Sequence, residues 1–472
     1  MSGFAELDGS LEKLAGDLVK RSRENTRWRQ QDTFNLIPSE QTQSSLVRLL
    51  SIVDPSGRYA EHRKIKEAGD GQTYYYQGTG FIARVEEDLV AAMKQYMDCS
   101  EVEVRTISGQ MANITVFSGL MEYLNGVNHR QEPARMRCVM NHHIGRGGHL
   151  SAQAMGGLRD FVAADPVTKK RAVVNFPVSA ANPYDIDLAR TAELIEQYRP
   201  ELIVLGKSMI LHREPVREIA RMIAGMQPRP VLMYDGAHVL GLFGPYFQMP
   251  LAEGADIITA STHKTFFGTQ RGVIASNMSE GTPYAGLWES IVRRVFPGSL
   301  SNHHLGTLLG LLMATYEMNA YGREYQRQVI GNAKAFARAL KGAGLQVEGD
   351  PGVGYTETHQ VVLRVGHARG IETANRLEEN NIIVNYQGLP DDDAFATCSG
   401  LRMGVQEMTR FGMKEADFGE LAGYLAAVIT KGKDVAAEVA ALRKRFNSMH
   451  YCLPEEKARL LLDGLLKSVL GS

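Results

Sequence analysis

The chain reads as an α/β protein with a large lobe on a mostly parallel, seven-stranded sheet and a smaller α+β lobe behind it. Three observations predict this. Between about residues 40 and 310, short β-rich apolar runs alternate with helical stretches, the rhythm of parallel strands joined by crossover helices and covered on both faces. Two of those runs end abruptly in charged residues, at Asp235 and Lys264, as strands do where an open sheet forms its ligand crevice. After about Gly310 the pattern changes to one long helical run and then to alternation.

A chain of 472 residues that is 44% hydrophobic buries a large core and is too long for one compact layer, so two or more lobes are expected. Residues 11–29 are charged, with Leu11, Leu14, Leu18 and Val19 at helical spacing, which predicts a helical arm over 1–34. The large lobe is expected over 35–310, with strands near 102–106, 138–140, 172–176, 202–205, 231–233, 256–259 and 272–275. The small lobe takes 311–472, with a helix through Leu311 to Leu340, strands at 359–365 and 382–385, an amphipathic helix over 415–429 and a helical tail.

A net charge of −1 gives no reason to expect nucleic acid or a membrane as partner. Cys99, Cys138, Cys398 and Cys452 are scattered without metal-ligand spacing, so no metal is expected, and free thiols in a reducing cytoplasm are the default. No apolar run approaches the roughly 20 residues that span a bilayer. The first residues lack the basic and apolar blocks of a signal peptide.

The chemistry is written at the strand ends. Lys264 closes Asp256-Ile-Ile-Thr-Ala-Ser261-Thr-His263-Lys264, and Asp235 closes Val231-Leu-Met-Tyr-Asp235-Gly-Ala-His238. A Schiff-base amine and a carboxylate for a pyridinium nitrogen are the pair by which a protein holds and tunes pyridoxal phosphate. The flanking sequences resemble the serine hydroxymethyltransferase family, and further motifs follow in family order: Asn35-Leu-Ile-Pro-Ser39-Glu40, Arg58-Tyr59-Ala-Glu61, Tyr74-Tyr75-Tyr76-Gln-Gly78, Ser108-Gly109-Gln110-Met-Ala-Asn113, Gly147-Gly148-His149-Leu150, Phe296-Pro297-Gly298 and Ser399-Gly400-Leu-Arg402-Met-Gly404.

The resemblance implies a fold-type I pyridoxal-phosphate enzyme acting on a small amino acid. Lys264 would carry the cofactor, Asp235 would face its ring nitrogen and His149 would stack on the ring. Ser208 and His238 would lie near its phenolic oxygen, with Ser261 and His263 as flanking contacts. Ser108, Gly109 and Gln110 open a helix, and a helix N-terminus favours an anion; the same Ser108 also suits an ordinary N-cap. Arg271 would aid the phosphate, with Gln270 as rival. Arg402, helped by Ser39, would bind the substrate carboxylate through two parallel hydrogen bonds. Tyr59, Glu61 and Tyr76 would supply acid and base groups to a partner subunit's site, implying a homodimer or tetramer with active sites at the interface.

Two aldol chemistries fit. A hydroxymethyltransferase moves the β-carbon of serine to tetrahydrofolate, and Glu61 with the tyrosine run resembles that branch. Tetrahydrofolate is uncertain, because the 62–73 segment is longer than the family's connection, Phe296–His303 lacks its Gly-Gly-Pro loop, and Gln387 replaces a pterin-contacting asparagine. The alternative is a folate-independent threonine aldolase or transaldolase with an aldehyde acceptor, a branch that residues 321–325, 354–360 and 404–414 resemble. The expected reading is aldol-type cleavage and formation of a β-hydroxy-α-amino acid with a divergent acceptor site.

Overall fold

The computed structural model describes residues 2–64, 71–127, 134–278, 282, 284–394 and 396–471. The chain opens with helix α1 (Ser2–Arg27), followed by β1 (Phe34–Asn35), α2 (Ser45–Leu50) and a hairpin of β2 (His62–Lys64) and β3 (Gln72–Tyr74). The centre of the long 62–73 segment, residues 65–70, lies outside the described residues. The large lobe then runs through α3 (Gly80–Met97), β4 (Glu101–Glu103), α4 (Gly109–Val127), β5 (Val139–Asn141), β6 (Val173–Asn175), α5 (Leu188–Tyr198), β7 (Leu202–Leu205), α6 (Val216–Ile223), β8 (Val231–Asp235), α7 (Pro250–Glu253), β9 (Ile257–Ser261), β10 (Gly272–Ser276) and α8 (Leu287–Arg293).

Strands β4 to β10 form one seven-stranded sheet in the order β4-β10-β9-β8-β7-β5-β6. The strands from β6 through β9 pair in parallel, and β10 runs antiparallel between β9 and β4. The alternation of side chains along each strand divides the core in two. Ile203, Leu205, Leu232, Tyr234, Ile258 and Ala260 face one cluster with Leu89, Met93 and Leu308. Their neighbours Leu202, Val204, Val231, Met233 and Ile257 face a second cluster with Val116, Phe117, Leu120, Leu287 and Ile291. Helices therefore cover both faces, and this is why the central strands β7, β8 and β9 read as near-continuous apolar runs.

Helix α9 (Leu305–Gly342) crosses position 310 without a break and packs on α3 with its first half. Beyond it lie β11 (Gln346–Val347), β12 (Gln360–Arg364), α10 (Gly370–Glu379), β13 (Ile382–Ile383), β14 (Asn385–Gln387), β15 (Gly400–Gly404), α11 (Gln406–Arg410), α12 (Glu415–Lys431), α13 (Ala436–Arg443) and α14 (Glu455–Leu470). An antiparallel sheet, β11-β12-β15-β14, forms the second lobe, with α12 packed on α9. The strand expected at Ile382 forms over two residues and pairs in parallel with β1 rather than joining that sheet. The 34/35 position thus falls inside a strand that ties the start of the chain to the second lobe.

Candidate active site

Asp235 and Lys264 leave adjacent parallel strands, β8 and β9, at their carboxyl ends, and both are buried. The turn beneath them demands glycine. Gly206, after β7, has φ +97° and would press any Cβ into the Asp235 backbone, a conformation and an approach that only glycine accepts.

Four hydrogen bonds fix the Asp235 carboxylate: Oδ2 accepts from Asn113 Nδ2 at 2.8 Å, His149 Nδ1 at 2.6 Å and Ser151 Oγ at 3.4 Å, and Oδ1 accepts from the Ala237 N–H at 3.0 Å. Burial alone would raise this carboxyl, but His149, Asn113 and the Ala237 amide together hold it down to about 2, so it stays ionised. Lys264 shows the opposite balance. Burial pulls its ammonium down to about 8, Asp235 opposes that, and Arg402 adds to it. An amine that loses its proton near neutrality is a usable nucleophile.

Arg402 sits on β15 of the second lobe with its guanidinium aimed at the first: Nε donates to Asn385 Oδ1 at 3.0 Å and Nη1 to the Ser208 carbonyl at 2.7 Å. Burial lowers it to about 10. It forms no ion pair with a carboxylate among the described residues, so a buried cation is left for an incoming anion. Gln360 ties the same corner together, donating to the Ser208 carbonyl at 2.9 Å and lying 3.4 Å from His238 Nδ1. His238 stands edge-on to His149 and stacks on His359. Burial, with Lys264 and Arg402 nearby, holds His238 neutral, and burial pushes His359 down to about 3.

The turn after β4 brings Ser108, Gly109 and Gln110 to the start of α4, where the Ser108 hydroxyl accepts from the Met111 N–H at 3.1 Å. Gly109 lies so close to the Ser261 hydroxyl, at the end of β9, that a Cβ there would collide with it. Thr106 Oγ1 is buried beside this turn without a protein partner. Ser108 and Gln110 share a cleft with Arg294, Gly298 and Ser299. Burial lowers His263 to about 4 and leaves its Nδ1 unpartnered; with Ser39 and Gln270 it lines a second cleft.

Arg271, expected to aid the phosphate, is engaged largely by the main chain. Its guanidinium is fully buried and donates to the carbonyls of Val104, Arg105, His303 and His304 and to Thr307 Oγ1. These contacts brace the turn before Thr106, and the buried Arg271 Nε–H keeps no protein partner. Gln270 is exposed. Tyr59 and Tyr76 lie elsewhere: both are exposed, with ring centroids 5.3 Å apart, in a recess that includes none of Lys264, Asp235 or Arg402. Glu61 is half-buried at the base of the β2–β3 hairpin.

Sequence reasoning missed the residues that orient the others. Ser151 and Asn385 carry no motif of their own, and Asn113 and Gln360, which close the 108–113 and 354–360 segments, were given no role, although Asn113, one helical turn past Gly109, had a position from which its role was readable. Pyridoxal phosphate fits the donor set: a buried amine of lowered pKa, an ionised buried carboxylate, a helix N-terminus with an unpartnered threonine hydroxyl, and a neutral imidazole. Among the described residues no group of side chains could hold a metal ion, and no helix is long and apolar enough to cross a membrane.

Comparison with known proteins agrees. The family model for serine hydroxymethyltransferase matches residues 15–425. A serine hydroxymethyltransferase of Pyrobaculum aerophilum is 39% identical over 440 residues, covering 92% of this chain and 94% of that one. That of Archaeoglobus fulgidus is 38% identical over 434 residues, 90% of each. Among solved structures, L-threonine transaldolase from Pseudomonas fluorescens in its internal aldimine state matches with a TM-score of 0.81 at 25% identity, covering 98% of this chain and 99% of that one. Likeness of this extent, reaching from the N-terminal arm across both lobes, makes the chain a pyridoxal-phosphate-dependent transferase that belongs to the serine hydroxymethyltransferase family.

Proposed function

We propose that the protein makes and breaks the Cα–Cβ bond of a β-hydroxy-α-amino acid of the serine and glycine type, with an acceptor site that departs from the folate-using pattern. The observation that carries this reading is Arg402, a buried guanidinium with no counter-carboxylate among the described residues, close enough to Lys264, as is Asp235, for its charge to act on that amine. A substrate carboxylate supplies the missing charge, and a paired, charge-assisted contact fixes the amino acid's orientation.

In this reading Lys264 holds the cofactor, Asp235 keeps its ring nitrogen protonated, His149 covers the ring, and Ser108, Gly109 and Gln110 hold its phosphate. Bound there, pyridoxal phosphate supplies an electron sink for the bond that breaks. Arg402, with Ser39, turns the substrate so that the side-chain bond is the one aligned with that sink. Glu61 moves the proton of the β-hydroxyl, and Tyr59 and Tyr76 line its approach. Since Tyr59 and Tyr76 lie in a recess that does not include Lys264, they and the neighbouring Glu61 serve the site of a second copy, and we infer a homodimer or tetramer. We place it in the cytoplasm, in keeping with Cys99, Cys138 and Cys452, which form no disulfide.

A second reading, a threonine aldolase or transaldolase, is favoured by the transaldolase likeness along both lobes and by Gln387, half-buried at the end of β14. Purified protein is incubated with serine, threonine or L-allo-threonine, with tetrahydrofolate, with a small aldehyde, or with neither, and the carbonyl product is identified. Formaldehyde transfer that depends on folate identifies a hydroxymethyltransferase. Acetaldehyde release from threonine, with a new β-hydroxy amino acid formed from added aldehyde, identifies a transaldolase. No cleavage of any of the three amino acids overturns both.

A further inference from the structure

Glu86, on α3, lies outside the cluster around Lys264 and yet gathers four elements of the fold. It is 7% exposed, and the histidines on either side, His62 at 5% and His303 at 1%, are as deeply buried. Its carboxylate contacts His303 Nε2, accepts from Tyr74 Oη at 3.1 Å and lies 3.3 Å from His62 Nε2. A buried carboxylate is costly unless its contacts are good, so the arrangement calls for a purpose.

The purpose is visible in what the contacts immobilise. His62 and Tyr74 are paired residues at the base of the β2–β3 hairpin, their rings 4.5 Å apart, and the Tyr75 N–H donates to the Glu61 carbonyl at 3.0 Å. The His62 carbonyl accepts from Arg105 Nη1 at 3.3 Å, and the His62 ring meets the Ala60 carbonyl at 3.0 Å. Asn302, next to His303, donates to the Arg58 carbonyl at 2.7 Å and accepts from the Ala60 N–H at 3.3 Å. Segment 58–62 is thus held through its backbone and through His62. The Tyr59 hydroxyl and the Glu61 carboxylate, in the middle of it, form no hydrogen bond among the described residues. A scaffold that fixes the main chain while leaving two functional side chains free is one that aims them.

We propose that Glu86, by joining His62, Tyr74 and His303, is a positioning residue that sets where Glu61 and Tyr59 are presented to the reacting amino acid. The proposal rests on the reading of Glu61 given above, and it predicts an effect on turnover rather than on binding, because misplacing a catalytic group by a fraction of its reach lowers rate steeply. Replacing the carboxylate with an amide removes the charge while keeping the volume.

The test uses the holoenzyme with Glu61→Gln, Glu86→Gln and the double variant, measuring kcat and KM for β-hydroxy amino acid cleavage, glycine affinity, and amide exchange in segments 58–62 and 72–75. Glu86→Gln should lower kcat about tenfold or more with KM and glycine affinity little changed and with faster exchange confined to those segments. The double variant should lose far less than the sum of the two single losses, since Glu86 acts on rate chiefly through the placement of Glu61 and, beside it, of Tyr59. Wild-type kcat in Glu86→Gln, or additive losses in the double variant, overturns the proposal. If Glu61→Gln itself keeps full turnover, the reading of Glu61 fails instead and takes the proposal with it. Should Glu86→Gln not fold, Tyr74→Phe, which removes one donor to the same carboxylate, must show the same kcat loss and the same local exchange, or the proposal is overturned.

Discussion

Two buried cations share this site, and burial affects them differently. Lys264 falls to about 8, within reach of deprotonation, whereas Arg402 at about 10 keeps its charge at neutral pH. One can act as a nucleophile and the other as an anion holder. Because the folded Lys264 value lies below the ordinary lysine value of about 10.4, the unfolded chain binds the extra proton between about pH 8 and pH 10. Stability of the cofactor-free protein from this group therefore rises with pH through that window, and thermal melts of wild type against Lys264→Ala should converge on raising the pH. Lys264→Ala should also lose the borohydride-sensitive cofactor band. Asp235→Asn should retain that band but lose roughly 10²-fold or more in kcat, as removal of a preorganised charge does. Arg402→Ala should weaken glycine binding by about 10- to 100-fold, the equivalent of about 1.5–3 kcal/mol for a charge-assisted contact, with pyridoxal phosphate affinity unchanged; equilibrium titrations of both ligands check it.

At the scale of elements, the 106–110 turn proposed to hold the phosphate depends on its neighbour β10. A Cβ on Gly272 would collide with the Ser108 carbonyl and come within 2.8 Å of Thr106 Oγ1. Both belong to the 106–110 turn, and a backbone carbonyl does not swing aside as a side chain does. Gly272→Ala should therefore cost about 1–3 kcal/mol of stability, the usual range for overpacking, and weaken pyridoxal phosphate binding more than glycine binding to the loaded enzyme. Denaturant unfolding and cofactor titration measure the two effects. Strands β7 to β10 were legible as apolar runs, since a strand buried on both faces has no other pattern, whereas β4 alternates as Glu101-Val102-Glu103 and β6 is half-buried. The pairing of β13 with β1 was not legible, because two backbone pairs between segments some 350 positions apart leave no periodicity to read.

For the whole molecule, the exposed stripe of Leu11, Leu14, Leu18 and Val19 on α1 and the separate recess holding Tyr59 and Tyr76 are both in keeping with the proposed second copy. If sites are shared, mixing and reassembling Lys264→Ala with Glu61→Gln should restore activity to about a quarter of wild type, because each mixed dimer assembles one intact site. Activity that stays at the level of the separate variants would place Glu61 and Lys264 in service of the same chain's site.

The sequence alone determined the α/β class, the cofactor and the residues at the strand ends, because strand burial and Schiff-base chemistry each leave a local signature: an apolar run closed by Asp235 or by Lys264. Only the tertiary structure decided what those residues experience. That Asp235 is held ionised by Asn113 and His149, that Arg402 reaches from the second lobe without a carboxylate partner among the described residues, that the Arg271 terminal nitrogens meet carbonyls of residues 104, 105, 303 and 304, and that Glu86 anchors the hairpin beside Glu61 all depend on groups far apart in the chain. Burial and long-range hydrogen bonding set charge and orientation, and neither is a property of neighbouring residues.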